Sequence, residues 1–393
     1  MSPQAAQLTP EAAPERLYFL DWVRIIAFFI LILYHVGMYY VTWGWHIKSP
    51  FASDFLEPLM MLSSPWRLGL LFMVSGVASS FMLKKQSPSR FAGSRSVRLL
   101  LPLVFGMAVI VPPQSYFEVV EKVSYAGSYS DFLQLYSTGY HGFCQEKCLR
   151  LPTWNHLWFV AYLWVYSLLL WGLMSLAPKM MGRTREGLTT WMQGWLIVIL
   201  PVAYLALARM ILMSDFPDTH ALWGDWFNHA TYLFLFLFGV LMGDHSAFWK
   251  ALAKVRWRSL ACALLGWCYM IAYMHYFNET REPSQAALFF QRLVYVFLAW
   301  NAILAACGFA RQHLNFNHPA RAYLSEAVFP VYILHQSLII IIAFSLKSWR
   351  MMPIVEGPIL IALTLLLSFM GFEIVRRIKL LRPLFGLSWA RRH

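Results

Sequence analysis

Residues 19–41 read FLDWVRIIAFFILILYHVGMYYV, and the fold turns on how this stretch is understood. It is long enough to cross a bilayer, which takes about 20 mainly apolar residues in a helix. Yet it carries Asp21, Arg24 and His35, and ionisable side chains at membrane depth are expensive and kept chiefly for function. At about 100° per residue, the step from Arg24 to His35 makes roughly three turns plus 20°. The two therefore share one helix stripe, roughly 16 Å apart along the axis. A cation at one level and an imidazole above it, facing the same way, suit the two ends of an elongated substrate.

The rest of the chain has the same character. Of 393 residues, 59% are hydrophobic and 13% charged, and apolar runs of similar length recur. That composition belongs to a polytopic membrane protein and excludes a soluble enzyme. The first run is too long, and its leader too weakly basic, for a cleaved signal peptide. There is no fixed-period repeat, no low-complexity tract and no nucleotide-binding glycine motif. The net charge of +13 lies in short loops between apolar runs, so it reads as a topology signal and no nucleic-acid partner is expected. Cys262, Cys268 and Cys307 fall within apolar runs as packing residues. Cys144 and Cys148 sit in the longest polar loop, where a disulfide, free thiols and metal ligation are all open.

The expected fold is all-α, with ten spans near 19–41, 66–83, 99–117, 154–177, 191–212, 228–243, 259–277, 287–310, 324–346 and 356–375. The second, holding Ser75-Gly76, and the short sixth are expected to be distorted. Residues 1–15 form a disordered tail, 16–382 a single transmembrane domain, and 383–393 a basic tail. On the side of both termini the loops carry 21 Lys and Arg against 8 opposite, which places both termini in the cytoplasm.

That orientation puts Arg24 near the cytoplasmic end of the first span and His35 in its outer half. Arg67 opens the second span from outside, and His156 the fourth. Ser75 is near mid-membrane, and so is His335 in the ninth span. Arg95 and Arg98, three apart, share a face at a helix start, and guanidinium forks suit phosphate. Glu373 precedes Arg376-Arg377 near the end. Arginines toward the cytoplasm and histidines deeper or further out fit a phosphate-bearing donor held from inside, its reactive end reaching an acceptor outside. Acyl-coenzyme A has that shape. A neutral histidine could take the proton of an attacking hydroxyl, and Ser75, a backbone N–H near Gly76, or His335 could polarise the thioester carbonyl. Each residue also has a plainer reading. Arg24 could pair with Asp21 at i, i+3, and His35, His335 and Ser75 could only join helices. Arg95 and Arg98 could be topology signals, His156 an interfacial residue, and Glu373 a partner for a cytoplasmic arginine.

Arg24, ten residues and then His35 resembles the signature of the acyltransferase-3 membrane family. Arg67 ahead of Phe72-Met-Val-Ser-Gly76, Arg95-Ser-Val-Arg98, His156-Leu-Trp-Phe159 and Tyr332-Ile-Leu-His335 resemble family patterns in the same order. Arg16-Leu-Tyr-Phe-Leu-Asp21 and the segment from Phe372 to Arg382 are similar to the glucan-biosynthesis C-type succinyltransferases. Val77 stands where an aromatic is common, and the Cys144/Cys148 loop has no counterpart in the pattern. The resemblance implies ten transmembrane helices in the bacterial inner membrane. It also implies acyl transfer from cytoplasmic acyl-CoA (succinyl-CoA or acetyl-CoA) to a hydroxyl of an extracytoplasmic oligosaccharide or glucan. The resulting expectation makes His35, Ser75 and His335 catalytic, and Arg24, Arg95 and Arg98 donor-binding. Arg67 and His156 orient the acyl group or acceptor, Asp21 and Glu373 give support, and neither a metal nor a bound cofactor is implied. The alternatives are an organic-anion transporter using the same buried charges, against which the lack of inverted-repeat symmetry counts, and a membrane scaffold, which leaves the Arg24–His35 spacing without a purpose.

Overall fold

The computed structural model describes residues 17–145, 148–278 and 280–389. The expected tail at 1–15 lies outside them. In order, the helices are α1 Tyr18–Tyr40, α2 Glu57–Ser63, α3 Arg67–Leu83, α4 Pro88–Phe105, α5 Pro112–Val123 and α6 Tyr129–Thr138. There follow α7 Trp158–Leu176, α8 Pro178–Trp191, α9 Leu196–Leu212, α10 Trp226–Met242 and α11 Ser246–Tyr276. The last four are α12 Gln285–His313, α13 Pro319–Lys347, α14 Pro353–Arg377 and α15 Leu381–Leu384. The protein is all-α; among the described residues the only extended pairing is an isolated bridge between Cys144 and Cys148, which are joined in a disulfide.

Each of the ten expected stretches is helical. Seven helical stretches are long and apolar enough to cross a membrane by themselves, and an eighth if α10 and α11, bent by 114°, count as one broken span. The fifth expected span is the 17-residue α9. The third is a helix in two pieces. Pro102 lies inside α4, a π-helical turn covers Gly106–Ile110, and Pro112 restarts the chain as α5. Each proline removes a backbone donor, which is why the regular hydrogen-bond ladder is interrupted there.

The distortion expected at Ser75-Gly76 is absent, because α3 runs through it unbroken. The glycine serves packing instead. A Cβ on Gly76 would come within 1.9 Å of the Phe236 carbonyl oxygen, and one on Gly239 within 2.0 Å of that of Met73. The backbones of α3 and α10 touch, as small residues allow in membrane bundles.

The described part of the 383–393 segment is not a loose tail. Phe385 and Leu387 are buried, the Phe385 ring is 5.4 Å from Phe105, and Arg382 donates to the Ser388 and Arg376 carbonyls. The described part, 383–389, carries no Lys or Arg, and its apolar side chains dock it.

Helices α1 and α13 form the centre. Of the apolar window of α13, 72% is buried, against 28% for α14. The C-terminal end of α1 is closed by Lys48, which donates to the carbonyls of Met38 and Val41 at 2.7 and 2.6 Å. These are the acceptors a helix C-terminus leaves unpaired. Burial pulls this ammonium down to about 8, even with Glu57 opposing the shift.

Candidate active site

Packing α1 against α13 brings together two histidines 300 residues apart, with His35 Nδ1 2.8 Å from His335 Nε2. Their hydrogens follow from the next contact. His335 Nδ1 lies 2.5 Å from the Tyr332 carbonyl oxygen, which can only accept, so Nδ1 carries the hydrogen. In the neutral ring Nε2 is then an acceptor and takes the hydrogen of His35 Nδ1. His35 Nε2 keeps its lone pair, on a residue that lines a cavity of about 500 Å3. That volume is in the range of small-molecule sites.

Other expected residues line the same cavity, with different duties. His156 follows Asn155, whose φ of 40° is the left-handed conformation that asparagine tolerates. The turn aims His156 inward, but both its ring nitrogens are engaged. Nε2 donates to the Ile333 carbonyl at 3.1 Å, and Nδ1 accepts from Gln114 Nε2 at 3.2 Å. It is a strut that holds α13 beside the cavity. Arg67 is 5% exposed, and its guanidinium lies 3.3 Å from the centre of the Tyr34 ring. Nε and Nη1 have no hydrogen-bond partner. A buried cation with open donors facing a cavity is fitted to an anionic or developing negative charge.

A polar network beyond the expected set closes one wall of the cavity. Gln114 accepts from Asn155 at 3.2 Å and from Gln336 at 3.0 Å, and donates to Ser337 at 2.7 Å. Gln336 Nε2 lies 3.0 Å from His46 Nε2, and His46 Nδ1 is 2.5 Å from Glu118, which also binds Lys122 at 2.6 Å. Glu118 lies beyond the apolar stretch Pro88–Ile110; burial alone would push its carboxyl up, but His46 and Lys122 outweigh it and hold it at about 2. Nothing in the spacing of His46 and Glu118 pairs them across 72 residues.

The remaining expected residues form a second pocket, of about 120 Å3, toward the start of α1. Arg24, Ser75, Arg95 and Arg98 line it. Arg95 Nε donates to Ser167 at 3.1 Å, while Arg95 Nη2 and Arg24 Nε have no partner. Ser75 is thus grouped with the arginines and is absent from the cavity wall around His35, and Gly76 faces α10. Neither is placed to polarise a carbonyl beside His35. In the tautomer above, His335 is an acceptor toward His35, so it is not that donor either. Asp21 pairs with Arg24 at 3.5 Å and with Arg321 of α13. Glu373 binds Tyr323, Arg376 and Arg377 at 3.0 to 3.1 Å. Both carboxylates act as supports between helix ends. Phe28 and Phe159 line the pocket and the cavity alike, and they form the wall between them.

Residues 17–373 match the family model described as an acyltransferase domain, of the third acyltransferase type. The chain belongs to the acyltransferase-3 family. This membrane acyltransferase is also similar to curated relatives called glucans biosynthesis protein C, from Salmonella gallinarum and Salmonella heidelberg. Each is 23% identical over 387 residues, covering 94% of both chains. No solved structure matches it significantly. The chain thus carries two compartments, one lined by His35 and His156 and the other by Arg24, Arg95 and Arg98.

Proposed function

We propose that this acyltransferase moves an acyl group from cytoplasmic acyl-CoA to a hydroxyl of an extracytoplasmic glucan, in the bacterial inner membrane. The observation that carries the reading is the chain Tyr332–His335–His35, which leaves one imidazole nitrogen unprotonated at the cavity. The loop-charge bias assigns the arginine pocket to the cytoplasm, and the name of the relatives supports a glucan acceptor.

In this reading Arg24, Arg95 and Arg98 hold the donor's phosphates and the arm runs past Phe28 toward His35. The helix between them is unbroken, so Arg24 and His35 stand roughly 16 Å apart along its axis. The inner pocket is smaller than ligand sites generally are, so the donor must open it. His35 Nε2 takes the proton of the acceptor hydroxyl, whose oxygen attacks the thioester carbonyl. The tetrahedral intermediate collapses, the C–S bond breaks, and the thiolate takes the proton back from His35, leaving an ester and free CoA. Arg67 has a purpose if the acyl group ends in a carboxylate. This favours succinyl over acetyl, because an unpaired buried guanidinium gains most from an ionised partner.

The test is CoA release by purified protein given succinyl-CoA or acetyl-CoA and an oligosaccharide glucan. His35→Ala should lower kcat by at least 100-fold, the scale of general-base catalysis. Arg95→Gln should mainly raise the KM for the donor. Normal turnover in His35→Ala, or no donor-dependent release by the wild type, would overturn the reading.

A further inference from the structure

At the end of the molecule where α1 begins, α11 and α12 enclose an open cleft of about 470 Å3, lined by Lys250, Lys254, Arg256, Arg311, Gln312 and Asn315 with Ala253. Among the described residues no acidic side chain lines it. Lys250 and Lys254 are exposed. Arg256 donates to the Ala253 carbonyl, and its Nε has no partner. None of these groups belongs to the cavity or the arginine pocket.

The cleft does not stand alone. Beside it an apolar groove of about 320 Å3 runs along the outside of α1 and α12, lined by Val23, Ile26, Ile30, Ala306 and Phe309 among others. The two adjoin at Phe309, since the Arg256 guanidinium sits 5.8 Å from the centre of its ring. On α1 the groove residues lie on a different face from Arg24 and Phe28, and Ile26 among them is exposed. A water-soluble anion would use the cleft and leave the groove empty. An uncharged lipid would use the groove and gain nothing from the four cations at its end.

We infer that cleft and groove together bind one anionic phospholipid, its phosphate among Lys250, Lys254 and Arg256 and an acyl chain along Val23, Ile26, Ala306 and Phe309. The charges lie where an anionic leaflet presents its headgroups, and basic residues near such a surface add up in affinity. The lipid packs on the back of the helix that carries Arg24 and His35. Its role is independent of the acyl donor.

The experiment is native mass spectrometry of the full chain in detergent, titrated with phosphatidylglycerol and, separately, with phosphatidylcholine. Wild type should retain phosphatidylglycerol at least tenfold more tightly. Lys250→Gln combined with Lys254→Gln, both on exposed positions, should abolish most of that preference, about tenfold or more. Ala306→Phe should weaken lipid retention by filling the groove, while leaving binding of glycerophosphoglycerol, the headgroup without chains, unchanged. Equal retention of the two lipids, or undiminished preference in the lysine variant, would overturn the inference. Displacement of phosphatidylglycerol by adenosine 3′,5′-bisphosphate would overturn it too, since the cleft would then serve a nucleotide.

Discussion

His335 is fully buried and reaches the reaction only through His35, so substitution there should separate positioning from binding. His335→Phe removes the acceptor for His35 Nδ1 and should lower kcat by about 100-fold with the donor KM unchanged. His335→Gln, which can still present an oxygen, should recover part of that loss. A purely structural role would lower expression and stability in both variants alike, with kcat per folded molecule preserved. Glu118 allows a test by pH. Its carboxyl is held at about 2 against an ordinary 4.5, so its ion pairs stabilise the fold fully above pH 4.5. That contribution fades as pH falls toward 2. Glu118→Gln should therefore cost on the order of 3 kcal/mol near neutrality, with the gap to wild type closing in acid, as read by thermal unfolding. The sequence makes His35, Arg24, Arg67 and Arg95 legible because a charge within an apolar run stands out. His46, Glu118 and Gln114 stay hidden, since a polar residue in or beside a loop needs no explanation until its partner, far along the chain, is in place.

At the scale of elements, the α3–α10 contact is the place where a single methyl group should be felt. Gly76→Ala pushes a Cβ into the Phe236 carbonyl, and relief requires the two backbones to part. A loss of about 2 kcal/mol or more is expected, in the range of overpacked cores. Gly172→Ala in α7, where nothing lies within 4 Å, should be neutral or stabilising by up to about 1 kcal/mol. Unfolding midpoints of the two variants in detergent check the contrast. Apolar run length is enough to locate helices at all ten expected stretches. It does not reveal that α10 and α11 meet at 114°, or that α3 runs unbroken through Ser75-Gly76. Such features depend on what a neighbouring helix presents, and hydropathy carries no record of neighbours. The docking of Phe385 and Leu387 after Arg382 escapes for the same reason, because a short apolar pair shows no partner until Phe105 lies beside it.

For the whole molecule, the decisive arrangement is two compartments at different levels of α1, divided by Phe28 and Phe159. The divider is backed by further rings, with Tyr332 5.4 Å from Phe28 and Phe72 4.5 Å from Phe159. In sequence both phenylalanines are ordinary members of apolar runs. Phe28→Ala should let water reach the thioester from the cavity side. CoA release in the absence of any acceptor should rise several-fold, and a wild-type ratio of hydrolysis to transfer would show that the ring is not the divider. The same two rings have a consequence beyond chemistry. A bilayer that holds a voltage is an electrical insulator, and each elementary charge that slips across 100 mV dissipates about 2.3 kcal/mol. Joined end to end, an arginine-lined recess and a hydrated chamber would make a shunt. With two aromatic side chains between them the circuit stays broken, so in the proposed reaction an acyl group is handed across while the current is not.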